Sequence, residues 1–85
     1  MIEVSDTTYL KDSTLKLRMY ARAGIEDYWI VNLPEERVEV YRNPENPTGL
    51  KDGWRYASVT IHERGEVVSL LKRPKVSFQV DAMLP

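Results

Sequence analysis

Six consecutive residues, 27–32 (DYWIVN), limit what this chain can fold into more than any other stretch. They are apolar and aromatic, too few for a helix and without polar alternation, so they predict a strand buried on both faces. A helix pattern lies just upstream. Leu10, Thr14, Leu17 and Ala21 recur at helical spacing with Tyr20 beside them, and Gly24 after Ala23 is a natural stop for the helix. The Asp6-Thr7-Thr8 step offers capping side chains for a start near Tyr9.

Around this pair the pattern is β-like. Residues 1–5 (MIEVS) alternate and are β-branched, which predicts a first strand. Residues 33–36 read as a turn, and 37–42 (RVEVYR) alternate as a hairpin partner. Residues 43–52 hold two prolines and a glycine and read as a loop. Strands follow at 54–62 and 66–69, with a short extended piece at 76–80 and Asp81 as the cap of a final helical turn. The order is β-α-β-β-β-β, an α/β (α+β) chain in which a strand-helix-strand crossover precedes an antiparallel meander. The first strand has nothing N-terminal to pair with. That suggests a truncated domain, or a partner that supplies the missing strand.

Length and composition narrow the function classes. Eighty-five residues make one domain at most. A chain this short buries only roughly 60–65% of the surface its unfolded form exposes. There is no cysteine to add a disulfide or a thiolate metal site, so self-association as a homo-oligomer is the expected reinforcement. Twelve basic and 13 acidic residues give a net charge of −1, which argues against tight binding of nucleic acid through phosphate neutralisation alone. No apolar run approaches the ~20 residues that span a bilayer and no signal peptide opens the chain, so a cytoplasmic protein without a membrane partner is expected.

Three polar residues stand out. Glu3 lies between Ile2 and Val4 on the first strand; it either points to water from a solvated face or ligates a hard divalent cation. Asp12 and Lys16 are four apart on the helix, with Tyr20 four further on. They form a routine surface pair, or Lys16 serves as a point charge toward a phosphate or an attacking water. His62, the only histidine, has no nearby ligand cluster and reads as structural. Trp29, Trp54 and the five tyrosines read as packing or interface residues. There is no Gly-rich phosphate loop and no helix-turn-helix pattern.

The string Glu3-Val4-Ser5, then Asp12 through Lys16, then Tyr20 through Asn32 (YARAGIEDYWIVN) resembles the Uma-type family of restriction endonucleases. The resemblance continues more loosely through residues 38–42 and into the C-terminal tail. It implies a PD-(D/E)XK, restriction-endonuclease-like fold over residues 1–85 and Mg²⁺- or Mn²⁺-dependent hydrolysis of phosphodiesters in nucleic acid, DNA above RNA. In that scheme Glu3 is the second carboxylate of the metal site, the Val4 carbonyl a further ligand, Lys16 the lysine displaced onto the helix, and Asp12 the polar position one turn before it. The aspartate of the usual upstream strand has no counterpart, which implies a weakly bound metal. Asn32 stands where the family usually has Asp. The alternative function is a catalytically inactive remnant that acts as an oligomerising or interaction domain.

Overall fold

A computed structural model describes residues 1–6 and 9–85, with residues 9–14 described by their backbone alone. The elements run β1 (Ile2–Ser5), α1 (Tyr9–Arg22), β2 (Asp27–Asn32), β3 (Arg37–Glu45), β4 (Arg55–Glu63), β5 (Val67–Ser69), β6 (Ser77–Gln79) and α2 (Val80–Met83). The side chains of Leu10 and Thr14, and the expected cap at Thr7-Thr8, lie outside the described residues.

Four strands form one mixed sheet in the order β1-β2-β3-β4. β1 pairs parallel with β2, so α1 is the crossover between them, and β2-β3-β4 is an antiparallel meander. The sheet is therefore that of a mixed α/β chain, consistent with the α+β restriction-endonuclease-like fold that the resemblance implies. β5 and β6 leave the meander and pair only with each other. They cover the sheet as a separate ribbon, because Val68 on β5 and Val80 on α2 complete an apolar layer that the sheet alone would leave wet.

β2 is buried on both faces. Trp29 and Val31 join Val38, Val40, Val68, Val80 and Leu84 on the ribbon side. Tyr28 and Ile30 join Ala21, Tyr41 and Tyr56 on the helix side, with Leu17, Tyr20 and Ile25 against them. The period-two alternation of a strand sends successive side chains of the run into two different cores.

Gly24 ends α1 as its spacing predicts, at a φ of 79°. The Gly24 N–H donates to the Ala21 carbonyl at 3.1 Å and the Ile25 N–H to the Tyr20 carbonyl at 3.0 Å, the paired bonds of a Schellman cap. The half-buried Ile25 and Tyr20 supply the apolar contact that accompanies such a cap. β3 runs three residues beyond the expected strand, through Asn43, Pro44 and Glu45, since β4 offers partners in Tyr56 and Arg55. β2 has ended by then, so the missing Pro44 N–H removes no bond from a second neighbour. Asp81 does not cap α2, whose N-cap is Gln79. Its carboxylate instead accepts from the Gly65 N–H at 3.1 Å and pairs with Arg64 at 3.3 Å, tying the β4–β5 turn to the tail.

Candidate functional site

Glu3 faces the helix side of the sheet at its edge. On α1, Lys16 and Tyr20 are one turn apart and lie on the flank nearest β1. The Tyr20 hydroxyl donates to Glu3 Oε1 at 2.7 Å, and Lys16 Nζ stands 3.6 Å from Glu3 Oε2. From β2, the Tyr28 hydroxyl donates to Glu3 Oε2 at 2.8 Å. Strand alternation makes this possible: Ile30 is the register partner of Glu3, and Tyr28, two residues earlier, shares its face. The Tyr20 and Tyr28 rings pack edge-on with centroids 4.8 Å apart, which fixes both hydroxyls.

The electrostatics of the four groups agree. The Tyr20 hydroxyl, more than any other group, holds the Glu3 carboxyl below its ordinary range; burial opposes it, and Tyr28 and Lys16 add to it. Glu3 is therefore an anion near neutrality. Its negative charge raises the Tyr20 phenol, while burial and then Glu3 raise Tyr28, so both remain proton donors. The Glu3 side chain is 29% exposed and that of Lys16 49% exposed, so the group opens to solvent.

Tyr28 and Lys16 both approach Oε2, so that among the described residues Oε1 has Tyr20 alone and a lone pair to spare. The next residue on β1, Val4, carries a backbone carbonyl whose direction follows from the ladder. The Trp29 N–H donates to the Met1 carbonyl at 2.8 Å and the Leu33 N–H to the Ser5 carbonyl at 3.0 Å, so the odd-numbered carbonyls of β1 face β2. Alternation turns the Val4 carbonyl to the unpaired outer edge. One ionised carboxylate and one free backbone carbonyl suit a hard cation as two of its ligands. Among the described residues no three His, Cys, Asp or Glu side chains are grouped to hold a metal. The Asp12 side chain lies outside the described residues.

A second carboxylate occupies the same face. Glu3, Ile30, Glu39 and Ile61 are successive register partners across the sheet, placing Glu39 two strand spacings, roughly 10 Å, from Glu3. Glu39 is 1% exposed. Asn32 Nδ2 donates to it at 3.1 Å, Arg37 Nε at 3.0 Å and the Tyr41 hydroxyl at 2.6 Å. Burial pushes its carboxyl up, and the Tyr41 hydroxyl pulls the other way. Asn32 also accepts from the Glu35 N–H at 3.2 Å, so its amide both donates and accepts, which a carboxylate there could not do.

Sequence reasoning singled out Glu3, Val4, Lys16 and Asp12; the structure sets Lys16 Nζ 3.6 Å from Glu3 Oε2, Val4 follows Glu3 on β1, and the Asp12 side chain lies outside the described residues. That reasoning missed Tyr28 and Glu39. The signal for Tyr28 was its place two residues before a strand partner of Glu3, which requires the register. For Glu39 it was a lone carboxylate between two valines on a buried strand. His62 sits apart from the site, 3.3 Å from Glu66 and 3.0 Å from Thr60 Oγ1, in keeping with a structural role.

A strand-helix-strand crossover on a mixed sheet, with a strand carboxylate turned toward a helix lysine at the open edge, defines an α+β protein of the restriction-endonuclease-like class. The family model described as "Uma2: Putative restriction endonuclease" matches residues 1–81. The chain belongs to the Uma2 family. No curated protein matches it. No helix among the described residues is long and apolar enough to cross a membrane.

Proposed function

We propose that this chain carries part of a divalent-metal phosphodiesterase centre acting on nucleic acid, DNA above RNA. The Glu3 carboxylate and Val4 carbonyl would hold Mg²⁺ or Mn²⁺, and Lys16 would face the scissile phosphate. The observation that supports this best is the Lys16–Glu3 approach of 3.6 Å at the open edge of β1, in a chain of this family. A bound divalent ion supplies Lewis-acid polarisation of the phosphoryl group and a more acidic water.

The chain's own residues do the rest. Tyr20 and Tyr28 fix the Glu3 carboxylate and keep it ionised without themselves losing protons. Lys16 reaches Glu3 at a distance longer than a hydrogen bond, so its ammonium is free to swing toward a phosphate oxygen and meet the charge that develops there. A compact, hydrated point charge on a flexible stem suits that movement. Asp12, one turn earlier on α1, would be the polar neighbour of Lys16 in the same scheme.

Nicking of supercoiled plasmid in Mn²⁺, set against EDTA and a Glu3→Ala control, tests this. Cleavage that needs both the metal and Glu3 is the expected result. Its absence at high protein concentration removes the claim of activity for this chain.

A second, non-catalytic function has its own observation. Among the described residues no strand pairs with the outer edge of β1, and Val4 and Ile2 on that strand are 67% and 45% exposed. Such an edge is a template for strand pairing, and supports an oligomerising domain built edge to edge on two copies of β1. Light scattering of the chain against a Val4→Lys variant decides it: a dimer abolished by the lysine is expected, and a monomer at all concentrations excludes it.

A further inference from the structure

On the far flank of α1 from Glu3, a hollow of about 250 Å³ opens between the helix and β4, walled by Leu17, Arg18, Tyr41, Trp54, Tyr56 and Val59. Three features set it apart from a simple packing gap. First, Trp54 is half-buried, yet its ring takes part in no ring pair among the described residues, and its indole N–H has no hydrogen-bond acceptor there. Trp54 also borders a second depression of about 560 Å³ with Gly24, Asn43 and Leu71, so space lies on more than one side of it. Second, Tyr41 and Tyr56 have committed their hydroxyls, to Glu39 at 2.6 Å and to the Ile25 carbonyl at 2.7 Å, and so present carbon surface to the hollow. Burial pushes the Tyr56 phenol up to about 12, which keeps that wall neutral.

Third, Arg18 and Arg22 are one helical turn apart and exposed, and neither forms an ion pair among the described residues. Like charges at this spacing repel and weaken a helix. In a chain of net charge −1, with acidic residues in excess, Arg18 on the wall of an aromatic hollow and Arg22 one turn further along α1, neither ion-paired among the described residues, are a local departure from that balance.

We propose that this hollow receives one unpaired nucleobase of single-stranded nucleic acid, stacked on Trp54, with the flanking phosphates on Arg18 and Arg22. An open indole face with a free N–H donor matches a planar ring with acceptor edges, and the two guanidiniums match phosphates on either side of it. A duplex is excluded from this mode, because its bases are stacked on each other and do not present a free face. The hollow and Glu3 lie on opposite flanks of one helix above the same face of the sheet, so a strand crossing α1 reaches both. The inference deepens the nuclease reading, on which the nature of the ligand rests.

Intrinsic tryptophan fluorescence of the full chain in EDTA tests it, with dT10, U10 and a blunt DNA hairpin closed by a non-nucleotide linker as ligands. Trp29 is fully buried and bonded to Asp27, so quenching reports on Trp54. Saturable quenching by dT10 or U10, stronger than by the hairpin, is expected, and the ratio of the two strands distinguishes DNA from RNA. Loss of one stacking platform weakens binding by about ten- to a hundredfold, which Trp54→Leu is expected to show in a filter-binding assay. Arg18→Gln with Arg22→Gln, at solvent-exposed sites that do not risk the fold, is expected to flatten the salt dependence of binding by about two released counterions. Hairpin binding equal to dT10, or strand binding indifferent to both the Trp54 and the arginine variants, overturns the proposal. Since no metal is present, Trp54-dependent binding without plasmid nicking sinks the nuclease reading alone, and nicking without Trp54-dependent binding sinks this one alone.

Discussion

Tyr28 on β2 donates its hydroxyl to Glu3 on β1 at 2.8 Å, across the parallel pair and from within the aromatic core. The edge strand is thus joined to the interior by a polar contact as well as by its ladder. Tyr28→Phe is expected to destabilise the chain by about 1.5–3 kcal/mol in urea denaturation, the usual worth of one hydrogen bond to a charged acceptor. Because Tyr20 remains, Glu3 would still be held, and Tyr20→Phe with Tyr28→Phe should cost more than either alone.

The lowered carboxyl of Glu3 makes a linked prediction in pH. A depressed folded-state pKa contributes stability that is fully present above the unfolded value, here 4.5, and is lost as pH falls through the folded value. The stability gap between the wild-type chain and Glu3→Gln is therefore expected to be widest near pH 7 and to close on acidification below pH 4.5. Paired denaturation curves across that range measure it. A gap that widens toward acid would mean the carboxylate is not held as an anion.

Glu39 is expected to be the most sensitive polar position in the sheet. Glu39→Ala strips acceptors from Asn32, Arg37 and Tyr41 in a buried site, at a cost on the order of 3 kcal/mol. Asn32→Asp replaces a donor with a second carboxylate at 3.1 Å from Glu39. Burial already raises the Glu39 carboxyl, so the pair would share a proton, and the variant should recover stability as pH falls from 7 toward 5. Thermal melts of both variants at the two pH values check this.

Gly24→Ala isolates backbone strain from packing. A β-carbon at Gly24 meets nothing within 4 Å, so the whole effect comes from its φ of 79°. A loss of about 1 kcal/mol is expected, with Asn tolerated better than Ala. A stability unchanged by Ala would show that the Schellman cap does not set the end of α1.

Asp27 on β2 accepts from three donors through one carboxylate, Trp29 Nε1 at 2.7 Å on its own strand, Arg42 Nε at 2.9 Å on β3 and the Leu71 N–H at 2.9 Å after β5. Burial raises its carboxyl, but the bonds from Arg42, Leu71 and Trp29 outweigh it and leave it lowered. Asp27→Ala is expected to cost about 2 kcal/mol and to free the segment at Leu71, seen as faster amide exchange there.

The amphipathic spacing of α1, its glycine stop and the doubly buried run of β2 were legible in the sequence because each depends on local periodicity or on one φ angle. Those features fix a crossover unit in an α/β chain; the restriction-endonuclease-like class rests on the family resemblance of residues 3–32 and on the family model that matches residues 1–81. The extension of β3 through Pro44 was not legible, since proline chemistry alone reads as loop until a partner strand is known to lie on one side only. Nor was the departure of β5 and β6 from the meander, which follows from the apolar layer that Trp29 and Val40 require.

For the site, the sequence determined which groups were available: a carboxylate on an edge strand, a lysine and a tyrosine one turn apart, and an unusual glutamate between valines. Tertiary structure decided which of them meet. Register brought Tyr28 to Glu3, the crossover laid Lys16 and Tyr20 over the strand edge, and depth separated the half-exposed Glu3 from the buried Glu39. The physical reason is that helical and strand periods are local, whereas register, depth and desolvation are set by contacts between residues far apart in the chain.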